Sequence, residues 1–340
     1  MNQYDKTQAV RLLLKQTGLQ DILDLDGITE IAVNAPQAAW FDRGNGWESK
    51  PLPELTFERC ERLAKALCVY AGITKTLGVE TSLASVILPE GERGQIAVPP
   101  ATLTGIISLT IRKPSTARFT LDDYEQSGRF ATCKNLHNSS EQMALTDTQN
   151  RLLALKEKAR YGEFFKLAIE SNLNILLVGG TGSGKTTVMK ALVDNYALDK
   201  RLFTIEDVHE LDLPNHPNHL HLFYKQGGLT PKQIIESCMR MKPDHVLLAE
   251  LRGDEAWGYL EMLNTGHQGS VTTIHANDCL SANARLATLV KQSDVGKTLD
   301  HEHIMKTINS SIDVTAYFKG THLIELMFDP VSKNKILSGD

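Results

Sequence analysis

The sequence predicts two domains of different class, an α+β domain followed by an α/β domain. At 340 residues, the chain is long enough for about two domains of ~150 residues each. In the first third, strand patterns alternate apolar and polar side chains, whereas in the second half they are apolar almost throughout. Alternation indicates a sheet with one solvated face, and apolar strands separated by helices indicate a parallel sheet covered on both faces.

The first domain, residues 1–127, is predicted to place helices on one face of an antiparallel sheet. Helices are predicted over residues 7–16 and from residue 56 to near residue 72, and apolar residues recur at helical spacing in the second. Its predicted strands are residues 30–34, 38–43, 46–50, 85–88, 94–98 and 107–112. The last strand alternates most clearly, because Ile107, Leu109 and Ile111 all point to one side.

A polar and irregular stretch, residues 128–146, is predicted to be a linker. The second domain, residues 147–340, then opens on a helix for which Thr146 and Gln149 form a capping box. Its predicted strands are residues 174–178, 202–205, 245–251 and 270–275.

Composition narrows the functional classes. The chain has 36 basic and 41 acidic residues and a net charge of -5, which disfavours electrostatic capture of nucleic acid. No apolar stretch approaches the ~20 residues of a membrane span, and no signal sequence is recognisable at the start. The five cysteines form no C-x-x-C pair. We therefore expect a reduced, cytoplasmic protein.

A glycine-rich loop follows the strand over 174–178 directly. Its sequence, GGTGSGKT, completes the pattern G-x-x-x-x-G-K-[ST] between a strand and a helix. Glycines let backbone amides face phosphate oxygens, and the helix N-terminus adds partial positive charge. We expect Lys185 to bridge the β- and γ-phosphates of ATP and Thr186 to ligate Mg²⁺. The predicted nucleotide-binding residues are Gly179, Gly180, Thr181, Gly182, Ser183, Gly184, Lys185, Thr186 and Thr187.

Two other strands end in side chains suited to catalysis. Glu250 ends the strand over 245–251, where ligands bind in open α/β sheets, and is expected to position or deprotonate the attacking water. A salt-bridged acid at a strand end is the alternative. His275 ends the strand over 270–275 and is expected to sense the γ-phosphate, with a buried core histidine as the alternative.

An acidic turn follows the strand over 202–205. Glu206, Asp207 and Glu210 would repel one another unless a cation lies close, which favours Mg²⁺ over a solvated acidic turn. Glu206 is the predicted Mg²⁺ ligand, and Glu206 and Glu210 are expected to support the metal and the water.

The segments GGTGSGKT, TIEDVHEL, LLAELRGDEA and GHQGSVTTIHA together resemble the Walker A, Asp box, Walker B and His box of the secretion ATPase superfamily. Within it, the chain is most similar to the traffic ATPases of bacterial type IV secretion, including plasmid conjugation. SVILPEGERGQI and SLTIRKPS are similar to the N-terminal domain of that group. The four-cysteine metal insert of many type II secretion and pilus ATPases has no counterpart here.

The resemblance implies a homo-hexameric ring of subunits, each with an N-terminal domain over a RecA-like P-loop ATPase domain. It implies that Arg93 and Arg112 contact the phosphates, with Arg240 as a further candidate; a solvated arginine is the alternative for Arg93 and Arg112. The long linker suggests that the motor domain packs against the N-terminal domain of a neighbouring subunit.

The partners implied are inner-membrane secretion components and other secretion ATPases, with peripheral association at the inner membrane and no sequence-specific nucleic-acid binding. The expected function is ATP hydrolysis that powers assembly of, or transfer through, a type IV secretion apparatus. A pilus assembly or retraction motor, a type II secretion ATPase and a nucleotide-gated scaffold with little turnover are the alternatives.

A group of histidines raises the question of a metal site. His219 and His221 would share a strand face, and His209 and His216 lie nearby in sequence. No cysteine or second pair at a fixed spacing accompanies them, so the sequence disfavours zinc here.

Overall fold

The computed structural model describes residues 3–114, 117–136, 143–225 and 228–339, except for the side chains of residues 3–5. Two compact units, residues 1–116 and 117–340, divide the chain. Across the described ranges, we find no helix with both the length and the apolar character needed to cross a membrane.

The first unit is an antiparallel sheet with helices on one face. Within its described residues the sheet has six strands in the order β3-β2-β1-β6-β5-β4. The helices are α1 (Gln3–Gln16), α2 (Leu19–Leu23) and α3 (Phe57–Tyr70). The strands are β1 (Glu30–Ala35), β2 (Ala38–Asp42), β3 (Trp47–Pro51), β4 (Leu83–Ile87), β5 (Arg93–Ala97) and β6 (Ser108–Arg112). This arrangement confirms the predicted α+β class.

Strand β6 shows why the helices cover one face only. Leu109 and Ile111 are buried in one cluster with Val10 of α1 and Leu63 of α3, whereas Thr110 between them is exposed. Burial of one side of each strand lets the amphipathic helices remove their apolar faces from water. The alternation read from the sequence is confirmed.

The second unit is a mostly parallel sheet with a core on each face. Among its described residues the sheet has eight strands in the order β10-β9-β11-β12-β8-β13-β14-β7. The strands are β7 (Lys134–Asn135), β8 (Ile175–Val178), β9 (Leu202–Glu206), β10 (His219–Phe223), β11 (His245–Leu251), β12 (Val271–Ile274), β13 (Val314–Lys319) and β14 (His322–Phe328). The helices are α4 (Leu121–Gln126), α5 (Asp147–Glu157), α6 (Tyr161–Glu170), α7 (Lys185–Val193), α8 (Pro231–Cys238), α9 (Glu255–Asn264), α10 (Cys279–Val290), α11 (Asp294–Thr298), α12 (His301–Ser311) and α13 (Pro330–Ser338).

The two cores of this unit follow from the strand pattern. Leu202 of β9 packs with the helices on one face, and Phe203, the next residue, packs into the cluster on the other face. Both neighbours are fully buried because the sheet is covered on both sides. The predicted α/β class is confirmed, and the parallel strands β8, β9, β11 and β12 lie where the sequence predicts them.

The division between the units differs from the predicted boundary at residue 127. Leu121 and Tyr124 of α4 are buried in a core cluster of the second unit, where the Tyr124 ring stacks on Phe130 with the centroids 5.3 Å apart. These apolar anchors attach the segment after residue 117 to the second unit. Part of the predicted linker, residues 137–142, lies outside the described residues, so its path and the expected packing on a neighbouring subunit stay predictions.

Candidate active site

The glycine-rich loop connects β8 to α7 through a backbone that excludes side chains at two points. Gly179 has a φ of 158°, and a Cβ there would lie 2.5 Å from the carbonyl oxygen of Phe318. Gly184 has a φ of 84° and would bring a Cβ to 3.2 Å from the Thr321 side chain. The chain therefore needs glycine at both positions to pass beside the β13–β14 hairpin.

Lys185 places its ammonium group against the loop. The side chain is buried, and its Nζ donates to the carbonyl oxygens of Gly179 at 2.7 Å and Gly180 at 2.8 Å. Gly184 is the N-cap of α7, and no side chain caps the helix there. The first turn of α7 thus leaves amide donors for a ligand, next to a positive charge. Backbone amides and an ammonium group are donors suited to a chain of phosphates, so these residues fit the predicted ATP site.

Glu250 lies in an ion-pair network that joins three strands. Its carboxylate accepts a hydrogen bond from Arg252 Nη2 at 2.6 Å, and His275 Nε2 lies 3.0 Å from its other oxygen. Arg252 Nη1 donates to Asp207 Oδ2 at 3.0 Å. The carboxyl ends of β9, β11 and β12 meet at one edge of the sheet, so the Asp box, Walker B and His box segments converge there.

Arg252 is the member of this network that sequence reasoning missed. Burial tends to lower its pKa, but the hydrogen bond and the charges of Glu250 and Asp207 outweigh that effect and raise the pKa. The guanidinium therefore stays charged and connects the two acids. The sequence does contain an indication of this ion pair, because Arg252 comes two residues after Glu250, just beyond the end of the strand.

Glu206 is fully buried and its carboxylate is largely used inside the protein. One oxygen accepts from the backbone amides of Glu210 at 2.8 Å and Leu211 at 2.9 Å. The other accepts from the Thr204 hydroxyl at 2.9 Å. These bonds brace the turn after β9. The predicted Mg²⁺ contacts of Glu206 and Glu210 stay predictions.

Three of the four histidines noted in the sequence come together beside Glu206. The His221 ring lies 4.4 Å from that of His209 and 4.8 Å from that of His219, centroid to centroid. Burial, and then the neighbouring imidazoles, lower the pKa of His221 to about 4. His216 is buried elsewhere, with its Nε2 at 3.2 Å from the Tyr196 carbonyl oxygen.

The three predicted arginines are distributed over both units. Arg93 and Arg112 lie directly opposite each other on β5 and β6 of the first unit, and Arg112 also pairs with Glu30 in register. Arg240 follows α8 in the second unit, is exposed, and donates to the Glu236 carbonyl oxygen at 3.1 Å. Their phosphate contacts stay predictions.

Comparison with known sequences identifies the family. The family model described as Type II/IV secretion system protein matches residues 129–319. The chain is 40% identical to the type IV secretion system protein VirB11 of Brucella suis biovar 1, over 94% of this chain and 90% of that protein. It is 34% identical to VirB11 of Bartonella henselae, over 99% of this chain and 98% of that protein.

Solved structures agree with this assignment. The VirB11 ATPase from the Brucella suis type IV secretion system, crystallised in complex with sulphate, matches with a TM-score of 0.54 and 41% identity, covering 96% of this chain and 99% of that chain. The pilus retraction motor PilT with bound ADP matches with a TM-score of 0.61 at 15% identity, covering 96% of this chain and 86% of that chain, and so shares the fold. With its phosphate loop and its convergent Asp, Walker B and His boxes, the chain belongs to the type II/IV secretion family and, within it, to the VirB11 ATPases of type IV secretion.

Proposed function

We propose that this protein binds Mg²⁺–ATP on the loop between β8 and α7 and uses Glu250 to position the water that attacks the γ-phosphate. The observation that supports the proposal is the convergence of two features in one unit: a helix N-terminus without a side-chain cap, and the Glu250 network at the carboxyl ends of neighbouring strands. Hydrolysis would then drive assembly of, or transfer through, a type IV secretion apparatus.

Phosphate binding would exchange hydrogen bonds that the loop now makes with itself. Lys185 donates to two loop carbonyls, and we propose that its ammonium turns from them to the β- and γ-phosphates. Residues 179–187 supply backbone amides, and the Thr186 hydroxyl would hold Mg²⁺. When bound, Mg²⁺ supplies charge that neutralises the phosphate oxygens and the leaving group.

Glu250 is suited to orienting water because its carboxylate is held in place. Arg252 donates to one of its oxygens, which fixes the orientation in which the carboxylate would accept a hydrogen bond from water. His275, at 3.0 Å from the other oxygen, would sense loss of the γ-phosphate through Glu250. Glu206 braces the turn through the two backbone amides on one of its oxygens, and its expected contact with Mg²⁺ stays a prediction. Glu210 is retained as a supporting acid near the metal.

The arginines would connect hydrolysis to the first unit. Arg93 and Arg112 lie directly opposite each other on neighbouring strands, so two guanidinium groups on one side of the sheet can contact one anionic ligand. We propose that this ligand is the nucleotide phosphate within a homo-hexameric ring, and that Arg240 contributes similarly. Inner-membrane secretion components and other secretion ATPases are the proposed partners, with peripheral attachment to the membrane.

Substitution of the loop lysine tests the proposal. Lys185→Ala should lower kcat for phosphate release by about 10²–10³-fold, as loss of one preorganised donor does elsewhere. Lys306→Ala, which changes an exposed lysine on α12, is the matched control and should turn over like the wild type. A circular dichroism spectrum equal to that of the wild type would establish that both variants fold.

Two results would contradict the proposal. Undiminished phosphate release by Lys185→Ala would exclude the loop as the active site. Nucleotide binding by the wild type without turnover, with and without lipid vesicles, would favour the gated scaffold instead.

A further inference from the structure

Two imidazoles approach the buried carboxylate of Glu206, which is not part of the Glu250 network. Nδ1 of His209 lies 3.5 Å from Glu206 Oε2, and Nδ1 of His221 lies 3.7 Å from the same oxygen. One ligand atom from each of the three residues lies within 4.8 Å of the others. Glu206 ends β9, His209 lies in the turn that follows, and His221 lies on β10, where it pairs in register with Thr204 of β9.

Glu206 has room for one more partner at this place. A carboxylate offers about four acceptor sites. Two amides use Oε1, and the Thr204 hydroxyl uses one site on Oε2. The same hydroxyl lies 2.8 Å from Nδ1 of His221, so it already connects the two groups that a cation would connect. A cation would replace this bridge and keep both amide bonds.

A neighbouring acid orients the more exposed ring. Nε2 of His209 lies 3.0 Å from Asp212 Oδ1, so in the tautomer that donates from Nε2 to this acid the lone pair of Nδ1 faces Glu206. A carboxylate behind a histidine in this way fixes the tautomer and makes the ring a better metal ligand.

We propose that Glu206, His209 and His221 form a site for Zn²⁺, with water in the fourth position. Two imidazole nitrogens and one carboxylate oxygen suit a borderline transition metal, whereas Mg²⁺ prefers oxygen ligands only. Ligands of tetrahedral zinc stand about 3.3 Å apart, given metal–ligand distances of ~2.0–2.1 Å. Glu206 is already within a few tenths of an ångström of that spacing from each ring. Rotation of the exposed His209 would bring the two rings closer.

The site would attach the turn after β9 to the edge strand β10. Asp207 lies in that turn and pairs with Arg252, so zinc would act on the same segment as the Glu250 network without sharing its ligands. The sequence disfavours zinc because no cysteine and no second pair at a fixed spacing accompanies these histidines. The missing ligand was Glu206, which the fold supplies from the neighbouring strand.

The test uses the tag-free full-length protein, stripped with a chelator and returned to buffer that contains millimolar Mg²⁺. Titration with Zn²⁺ against a chromogenic chelator should show one tight site per chain, and Co²⁺ should give the visible absorption bands of a tetrahedral complex. His209→Ala and His221→Gln should each weaken binding by about tenfold or more, and Asp212→Asn by ~10–100-fold, because it acts on the ligand His209. The exposed His303→Ala is the matched control and should bind like the wild type.

Asp212→Asn retains all three ligands, so weaker zinc binding by this variant would not be explained by misfolding after loss of a ligand. Equal zinc affinity in every variant, or displacement of Zn²⁺ by Mg²⁺, would overturn the site. Lys185→Ala should bind zinc normally, so loss of the proposed ATPase function would leave this result unaffected.

Discussion

The phosphate loop and the turn after β9 lie at the same edge of one sheet, yet they use their polar groups in opposite ways. The loop leads into a helix whose first turn no side chain caps, and its lysine donates to two carbonyls of the loop itself. In the turn, the carboxylate of Glu206 is already bonded to two backbone amides and a hydroxyl.

This difference indicates that the loop is suited to bind a ligand, whereas the turn holds its neighbours in position. Amides at a helix N-terminus that no side chain caps bind a ligand at little cost, because few internal hydrogen bonds must be broken there first. A buried carboxylate with its bonds made instead fixes the position of its neighbours. The loop is therefore the place to look for nucleotide contacts, and the turn is the place to look for geometry that those contacts depend on.

The largest effect should come from Glu250, which lies between the two regions. Glu250→Gln removes the charge while it keeps the size of the side chain, so water is no longer oriented by a carboxylate. We expect kcat for phosphate release to fall by about 10²–10⁴-fold with nucleotide affinity unchanged.

Glu261→Gln, on the exposed side of α9, is the control for this prediction. A kcat within twofold of the wild type would show that another group positions the water.

Stability should respond most at Glu206. Glu206→Ala leaves the Glu210 and Leu211 amides without their acceptor, and the free energy of unfolding should drop by about 2–4 kcal/mol. Urea denaturation measures this value, with Glu236→Ala, an exposed position on α8, as the control. If the two variants were equally stable, the bracing role would be wrong and the contrast between turn and loop would disappear.

A substitution in the loop should cause a smaller loss of stability, because it introduces a steric clash and removes no hydrogen-bond acceptor. Gly179→Ala would bring Cβ to 2.5 Å from the Phe318 carbonyl oxygen, so the free energy of unfolding should fall by about 1–3 kcal/mol. At Gly180 an added Cβ meets no atom within 4 Å, which makes Gly180→Ala the matched control. Equal thermal midpoints for the two variants would show that the loop backbone adapts.

The same residues show how much of the fold and of the site the sequence predicts. The Walker A loop and strands β8, β9, β11 and β12 were predictable because glycine spacing and apolar runs are local signals. The partners of Glu206 were not, because two of them are backbone amides, and any residue type supplies an amide. The place of α4 was missed since Phe130, a single aromatic residue in a polar stretch, anchors that segment through contacts distant in sequence.

Arg252 gives the finest test of the connection between the two regions, because it contacts Glu250, which lies between them, and Asp207 in the turn after β9. It donates to Glu250 at 2.6 Å and to Asp207 at 3.0 Å. Arg252→Gln keeps a donor but loses the charge, so Glu250 should still accept a hydrogen bond from a neighbour while its orientation becomes less fixed. We expect kcat to fall about tenfold, which corresponds to a rise of ~1.4 kcal/mol in the activation free energy. Steady-state phosphate release at saturating ATP measures this, and Arg252→Lys, which keeps the charge and loses the two-pronged geometry, should lie between the variant and the wild type. A full loss like that of Glu250→Gln would instead make Arg252 a group that contacts the phosphates directly.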